Sequence, residues 1–377
     1  MLYKFVITRL FAVTVFGATT IFSSVVFAQF DFGTDTAATA AVSAETNEKK
    51  LVNGGPKRGA GQRQIWRAGI VIEPGSLIEE AKVMIPVPTD WFEQEVLKIN
   101  EEKTDTALSN NIRYRIVNNG AKEMILTLGR MRPHRKVEVI VDFELLNYEL
   151  LPPDNPEDYV IPKRTPNGLE SYLKESPTIE CNKLQFAKMF SEITKDKTTD
   201  WDKIESLYTF VQNNVQYDEA GKNRPAKGAW AVINMPEGAW EGDCKDMSCL
   251  FVALCRAGKI PARIVRLPEH CYAEFYLELK PELTASNLSK DSSNAAARNT
   301  KKPATPQGFW FPCQVAGSYS FGGIPEQQPI LQKGDSFPDP DKTPKGKTLF
   351  LKETFEGALI AGSPPPKFHW IHEVKAK

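Results

Sequence analysis

The chain has 377 residues, with 47 Lys+Arg against 47 Asp+Glu, 4 His and 6 Cys. A hydrophobic fraction of 41% and a charged fraction of 25% suit a globular protein of two domains, or one large domain with appendages, and exclude wholesale disorder and a multi-span membrane protein. A formal charge of zero speaks against nucleic acid as a partner, since that binding needs a concentrated basic excess.

Lys4 and Arg9 flank the start of an apolar run, Leu10 to Phe27, that closes on Val26-Phe27-Ala28. This is the pattern of an export signal, residues 1–28, cleaved after Ala28. An uncleaved anchor is the competing reading, because the run approaches the about 20 residues that cross a bilayer. Cleavage removes two basic residues and leaves the mature chain near neutral, at −2, with no other stretch apolar enough to span. Residues 29–65 are rich first in Ala, Thr, Ser and Glu and then in Gly, Lys and Arg. Such a composition buries no core, so it predicts a flexible tether, with order beginning near Trp66.

From residue 66 to 150 the period is mostly two. Ile70 to Ile72, Ala81 to Val87, Ile112 to Val117, Met124 to Leu128 and Val137 to Phe143 read as strands, separated by turn signals such as Glu73-Pro74-Gly75 and Asn118-Asn119-Gly120. The expectation is a small antiparallel β-sandwich in which His134 is an ordinary surface side chain. A Pro-rich passage, 151–179, marks a linker. The period then becomes helical, first over Leu184, Phe186, Met189, Phe190 and Ile193, and again from Asp200, taken as an N-cap, through Trp201, Ile204, Leu207, Tyr208 and Val211 to the end near Tyr217.

Gly242-Asp243-Cys244-Lys245-Asp246 leads into an apolar helix that ends at Gly258. Cys244 therefore stands at a helix start, where unsatisfied N–H groups and the positive end of the dipole favour thiolate over thiol and offer donors to an oxyanion. Cys249 and Cys255 fall inside the helix and read as core. Next, Ala262 to Val265 reads as a strand, Leu267-Pro268-Glu269 as a turn, and His270 to Leu277 as a second strand. Alternation there puts Cys271, Ala273, Phe275 and Leu277 on one face and His270, Tyr272, Glu274 and Tyr276 on the other. His270 is the candidate base for Cys244, and Gly308 to Gln314 is the next strand. Trp240 and Trp230 are read as packing residues, with a groove wall or an indole donor as the alternative. Arg263 and Glu274 are read as a structural ion pair.

In that order, Gly-Asp-Cys-Lys-Asp at 242–246, Cys-Arg-Ala-Gly-Lys-Ile-Pro-Ala-Arg at 255–263, His-x-Tyr-x-Glu-Phe-Tyr at 270–276 and the Trp310 strand resemble the transglutaminase-like superfamily, particularly its exported bacterial members such as those of planctomycetes. The resemblance covers about residues 180–320. It implies an α+β fold, a papain-like transglutaminase core preceded by the small all-β sandwich-like domain, with Cys244 as nucleophile, His270 as general base and acid, and no metal or organic cofactor. The family's third residue, an Asp four positions after the Trp, falls on Gln314. A Gln oxygen can orient the imidazole but brings no negative charge. Asp243 and Asp246 are alternative carboxylates, read as helix caps.

The six cysteines show no paired framework. Cys244 and Cys255 would lie about 16 Å apart along the helix, too far to bridge, which leaves Cys181 with Cys313 as a candidate pair. There is no CxxC, and His369 and His372 have no evident ligand partner, so zinc is not expected. Residues 281–307 read as a long loop and 321–377 as an extension that wraps the domain. Two functions remain open: an exported thiol peptidase, amidase or acyltransferase acting on protein or peptide amides, and a non-enzymatic envelope or binding protein that retains the fold.

Overall fold

The computed structural model describes residues 2–8, 54–101, 109–284, 307–339, 346–360 and 363–376. The first strands are β1 (Leu2–Thr8), β2 (Lys57–Glu73), β3 (Ile78–Val87), β4 (Gln94–Asn100), β5 (Ser109–Ile116), β6 (Lys122–Leu128) and β7 (Val137–Leu151). Then come β8 (Tyr159–Val160), α1 (Leu184–Thr194), α2 (Asp200–Asn214), β9 (Gln216–Tyr217), α3 (Ala229–Ile233), β10 (Glu241–Gly242), α4 (Cys244–Ala257), β11 (Ala262–Arg266), β12 (Cys271–Leu279) and β13 (Gly308–Cys313). The chain ends with β14 (Gln332–Lys333), β15 (Phe337–Pro338), β16 (Lys347–Thr348), β17 (Thr354–Ile360) and β18 (Lys367–Ala376).

Two antiparallel sheets, in strand order β1-β17-β3-β6-β5 and β18-β2-β7-β4, enclose one apolar core. Period two explains it: Trp66, Ala68, Ile70 and Ile72 of β2 point inward, as do Ala81, Val83, Ile85 and Val87 of β3, and all are buried. Each buried Ile or Val among them contributes about 1.5–3 kcal/mol relative to exposure. The expected sandwich is therefore present, with β1 (Leu2–Thr8), which falls inside the expected export signal, laddered to β17 at its edge, and with two further differences in its extent. The stretch from Lys57 to Gln64, predicted as tether, is the first half of β2, laddered to β7 from Lys57↔Leu151 onwards. Its side chains are mostly exposed, so it is held by backbone bonds, which a composition argument based on burial does not register. Of the remaining tether, 29–53 lies outside the described residues, as do signal residues 9–28 and loop residues 285–306. The second difference is the C-terminal end: β17 pairs with β3 and β18 with β2, and Phe355, Phe368 and Trp370 pack into the sandwich core. The 321–377 extension thus completes the first domain.

The second core forms around α4, which packs on α1, α2 and α3 and against β12 of the sheet β13-β12-β11-β14, with β8 added to β12. Helix α4 is buried nearly all round, as expected of a central helix. It ends at Gly258 for a reason other than chain reversal, because the left-handed residue is Lys259, φ 62°. A Cβ on Gly258 would sit 2.1 Å from the Phe190 ring, so glycine here lets α1 approach. The N-cap of α2 is Thr199, whose hydroxyl accepts from Asp202 N. Asp200, one residue on, instead accepts from Ile161 N at 2.8 Å.

Candidate active site

Strand β10 runs parallel to β9, pairing Gly242 with Tyr217, and delivers the chain to the start of α4. Glycine is required at 242, since a Cβ there would lie 2.7 Å from the Asp246 Cβ. Asp243 caps the helix: its Oδ1 accepts from Lys245 N at 2.9 Å and Asp246 N at 3.1 Å, while its carbonyl accepts from Met247 N at 3.0 Å. Its other oxygen is paired with Lys245 Nζ. Three first-turn N–H groups are thus engaged, and the one left to face an oxyanion is that of Cys244 itself. Asp246 accepts from Lys227 N at 2.6 Å and Gly228 N at 3.2 Å, so it anchors the 227–228 loop. Asp243 is the cap read from sequence, whereas Asp246, also read as a cap, instead holds the 227–228 loop.

Cys244 is only 3% exposed. His270 stands at the mouth of the β11–β12 hairpin, fixed by Leu267 N donating to His270 O at 2.9 Å. The structure brings Cys244, His270 and Gln314 into one cluster. The Cys244 thiol is pushed down to about 5 by its bond with Cys271 and by bonding and charge from His270, against burial and Asp243, which push it up. His270 is raised: burial disfavours its cation, but pairing with Cys244, the Gln314 amide and the charge of Glu326 outweigh it. Its Nε2 is buried without a hydrogen-bond partner among the described residues.

Two residues of the cluster were not singled out from sequence. Cys271 opens β12 on the face opposite His270, and that face packs on α4, where its Sγ lies 3.8 Å from Ser248 Oγ, one turn beyond Cys244. The neighbouring Cys244, and then burial, push the Cys271 thiol well above its usual range. The alternation placed it correctly; the missing step was that the core face of β12 is also the face towards the helix start. Tyr217 is 40% exposed and is pushed up to about 12 by burial and then by the charge on Cys244. It had read as the end of α2, whereas it forms β9 beside the nucleophile loop.

Trp240 donates its indole N–H to Met235 O at 3.1 Å and packs edge-on against Phe210, so that N–H is not free for an oxyanion. Trp230 packs on Phe186 and under Lys183. All six cysteines are free and buried, so Cys181 and Cys313 are not bridged. Arg263 and Glu274 form the expected pair at 2.6 Å, extended by Lys333 at 2.7 Å from Glu274.

A helix-start cysteine held beside a strand-start histidine on an α+β core defines a class. Residues 187–287 match the Transglutaminase-like superfamily, so the second domain is a transglutaminase-like domain. It is 25% identical over 199 residues to an uncharacterized protein of Haemophilus influenzae, covering 52% of this chain and 51% of that one. The chain thus spans about half the length of the curated relative it matches. Among solved structures, a Cytophaga hutchinsonii protein provisionally described as a cysteine protease superposes with a TM-score of 0.52 at 14% identity, over 85% of this chain and 92% of that one. At that identity the likeness concerns the fold, and it spans both domains. The periplasmic domain of TgpA from Pseudomonas aeruginosa is a remoter match, with a TM-score of 0.30 at 12% identity over 57% of this chain and 82% of the other. Among the described residues, no helix is long and apolar enough to cross a membrane.

Proposed function

We propose that this protein is an exported thiol enzyme that cleaves or transfers protein or peptide amides through Cys244 and His270. The observation that carries the reading is a buried thiol at a helix start, held down at about 5 by Cys271 and His270 beside an imidazole held above its ordinary value. Between those two values the pair exists as thiolate and imidazolium, which is the reactive form. The Cys244 sulfur attacks the amide carbon, and its own N–H donates to the oxyanion. As the C–N bond breaks, His270 gives its proton to the departing amine, leaving a thioester on Cys244. His270 then takes a proton from water, or from an incoming amine, as that nucleophile attacks the thioester and frees Cys244. Substrate entry requires opening of the nearly closed shell around the sulfur. Export rests on the basic and apolar pattern of residues 1–28.

Two observations favour a second reading, a binding protein that retains the fold: the sulfur is almost sealed, and Gln314 stands where the family has a carboxylate. Iodoacetamide labelling of Cys244 across pH, with Cys244→Ala as blank, separates the two. The enzyme reading expects labelling to be half-maximal near the low value of the paired thiol, about 5. A midpoint at the ordinary free-thiol value of about 8.5 would falsify it.

A further inference from the structure

We propose that Glu326 is a positioning residue for His270: through the amide of Gln314, its carboxylate supplies the negative charge that a Gln in the third place lacks. This rests on the Cys244–His270 reading above. Three observations lead to it.

The first is the polarity of the Gln314 amide. Gln314 follows β13, and its backbone N–H donates to Ser320 O at 2.9 Å, which fixes the side chain's origin. Its Nε2 donates to Glu326 Oε1 at 3.4 Å, so the nitrogen end of the amide is committed to a carboxylate and the oxygen end is the one left for the ring. The second is the buried His270 Nε2, which lacks a hydrogen-bond partner. A buried N–H without an acceptor costs about 1–3 kcal/mol, and the Gln314 oxygen is the acceptor its neighbourhood offers. With the oxygen on the imidazole and the nitrogen on a carboxylate, the amide is polarised from both ends in the direction that favours the imidazolium.

The third is that Glu326 is held in place. On one side, Ile324 and Leu150 exchange two backbone bonds of 2.8 Å each. On the other, Gln327 Nε2 donates to Ala60 O at 2.8 Å, and Gln327 O accepts from Gln64. Glu326 therefore hangs on a strap fastened at both ends to the sandwich, and the sandwich sets its distance from the ring. Cys244 faces His270 from α4, Glu269 adjoins it in the hairpin, and Gln314 and Glu326 approach from the chain after β13. Asp243, Cys271 and Tyr217 interact with Cys244. Of these carboxylates, Glu326 is the one that raises the imidazole.

Glu326 is exposed, so water and salt screen its effect. A unit charge about 7 Å away through a water-like medium moves a titration midpoint by about half a unit. The test uses the full chain labelled with carbon-13 at histidine Cε1, where only 4 His need resolving and His270→Asn identifies the signal. The expected wild-type midpoint lies above the ordinary value of about 6.5. Glu326→Gln should lower it by about half a unit, less in high salt, and Glu326→Asp should restore part of the shift. Gln314→Leu should lower it too, and adding Glu326→Gln to that variant should lower it further by clearly less than in the wild-type background, because the part of the effect relayed by the amide is gone and only the direct field through solvent is left. A raised wild-type midpoint that Glu326→Gln leaves in place, or additive effects of the two substitutions, would overturn the proposal alone. An ordinary wild-type midpoint that Cys244→Ala does not move would overturn the Cys–His reading and this proposal together.

Discussion

Two thiols share the work at Cys244. Burial alone would make this sulfur a poor nucleophile, since desolvation disfavours the charged form. Its lowered value depends first on Cys271 and then on His270. Cys271 is pushed up as Cys244 is pushed down, the direction expected when Cys271 turns its S–H from Ser248 Oγ, 3.8 Å away, to the Cys244 thiolate. A hydrogen bond to a charged group contributes about 1.5–3 kcal/mol, or roughly one to two units of titration. Cys271→Ala should therefore raise the midpoint of Cys244 labelling by about one to two units. An unchanged midpoint would assign the whole effect to His270. Residue types and spacing reached Cys244 and His270 because helix-start and strand-start placement are local properties. They did not reach Cys271, Tyr217 or Glu326, whose closeness to the site is created by packing between elements distant in sequence.

The start of α4 carries two demands that conflict. Asp243 is the best available cap, yet its charge opposes a thiolate one residue away. The fold lessens the conflict by pairing the carboxylate with Lys245. Asp243→Asn keeps an acceptor for the N–H groups and removes the charge, so stability should change little while the Cys244 labelling midpoint falls further. Asp243→Ala should also lower that midpoint, but at a cost of about 1 kcal/mol in thermal or urea unfolding. If Asn and Ala destabilise equally, the capping role is wrong. Elements were legible where a single period ran long enough, as in α2, α4, β3, β6 and β7. They were obscured where the backbone ladder does the holding: the first half of β2 looks like a tether because its side chains remain in water. The two-residue strands β8, β9 and β10 carry no period at all. The role of residues 354–376 was hidden for another reason, because pairing with strands more than 250 residues earlier leaves no local trace.

At the scale of the molecule, the two cores are joined by a buried charge network. Lys333, 4% exposed, lies between Glu93 of the sandwich at 2.6 Å and Glu274 of β12 at 2.7 Å. Glu274 is bonded to Arg263, and Glu93 accepts from Tyr272 OH at 3.2 Å. Glu93→Ala strips a buried cation of one partner and should cost about 3–5 kcal/mol in urea unfolding at neutral pH. A loss below about 1 kcal/mol, the range of exposed pairs, would show that the network does not couple the domains. Burial raises the Glu274 carboxyl, but Arg263 and Lys333 more than reverse this and hold it below its ordinary value. Its contribution is therefore present above the unfolded value of about 4.3 and lost as pH falls through the lower folded one. Lys333 is raised by Glu274 and Glu93 against burial, so its contribution is present below about 10.4 and lost as pH rises through the higher folded value. Stability from the network should be flat between. The closure of the sandwich by β17 and β18 also bears on how the protein is made. The first domain lacks β17 and β18 until the ribosome has passed residue 376. At roughly 5–20 residues per second, the early strands wait for some tens of seconds with exposed apolar faces. The transglutaminase-like domain, encoded between them, has all its helices before its neighbour can close, so it is the first that can finish in time, and the sandwich of a nascent chain remains open until β17 and β18 have been made.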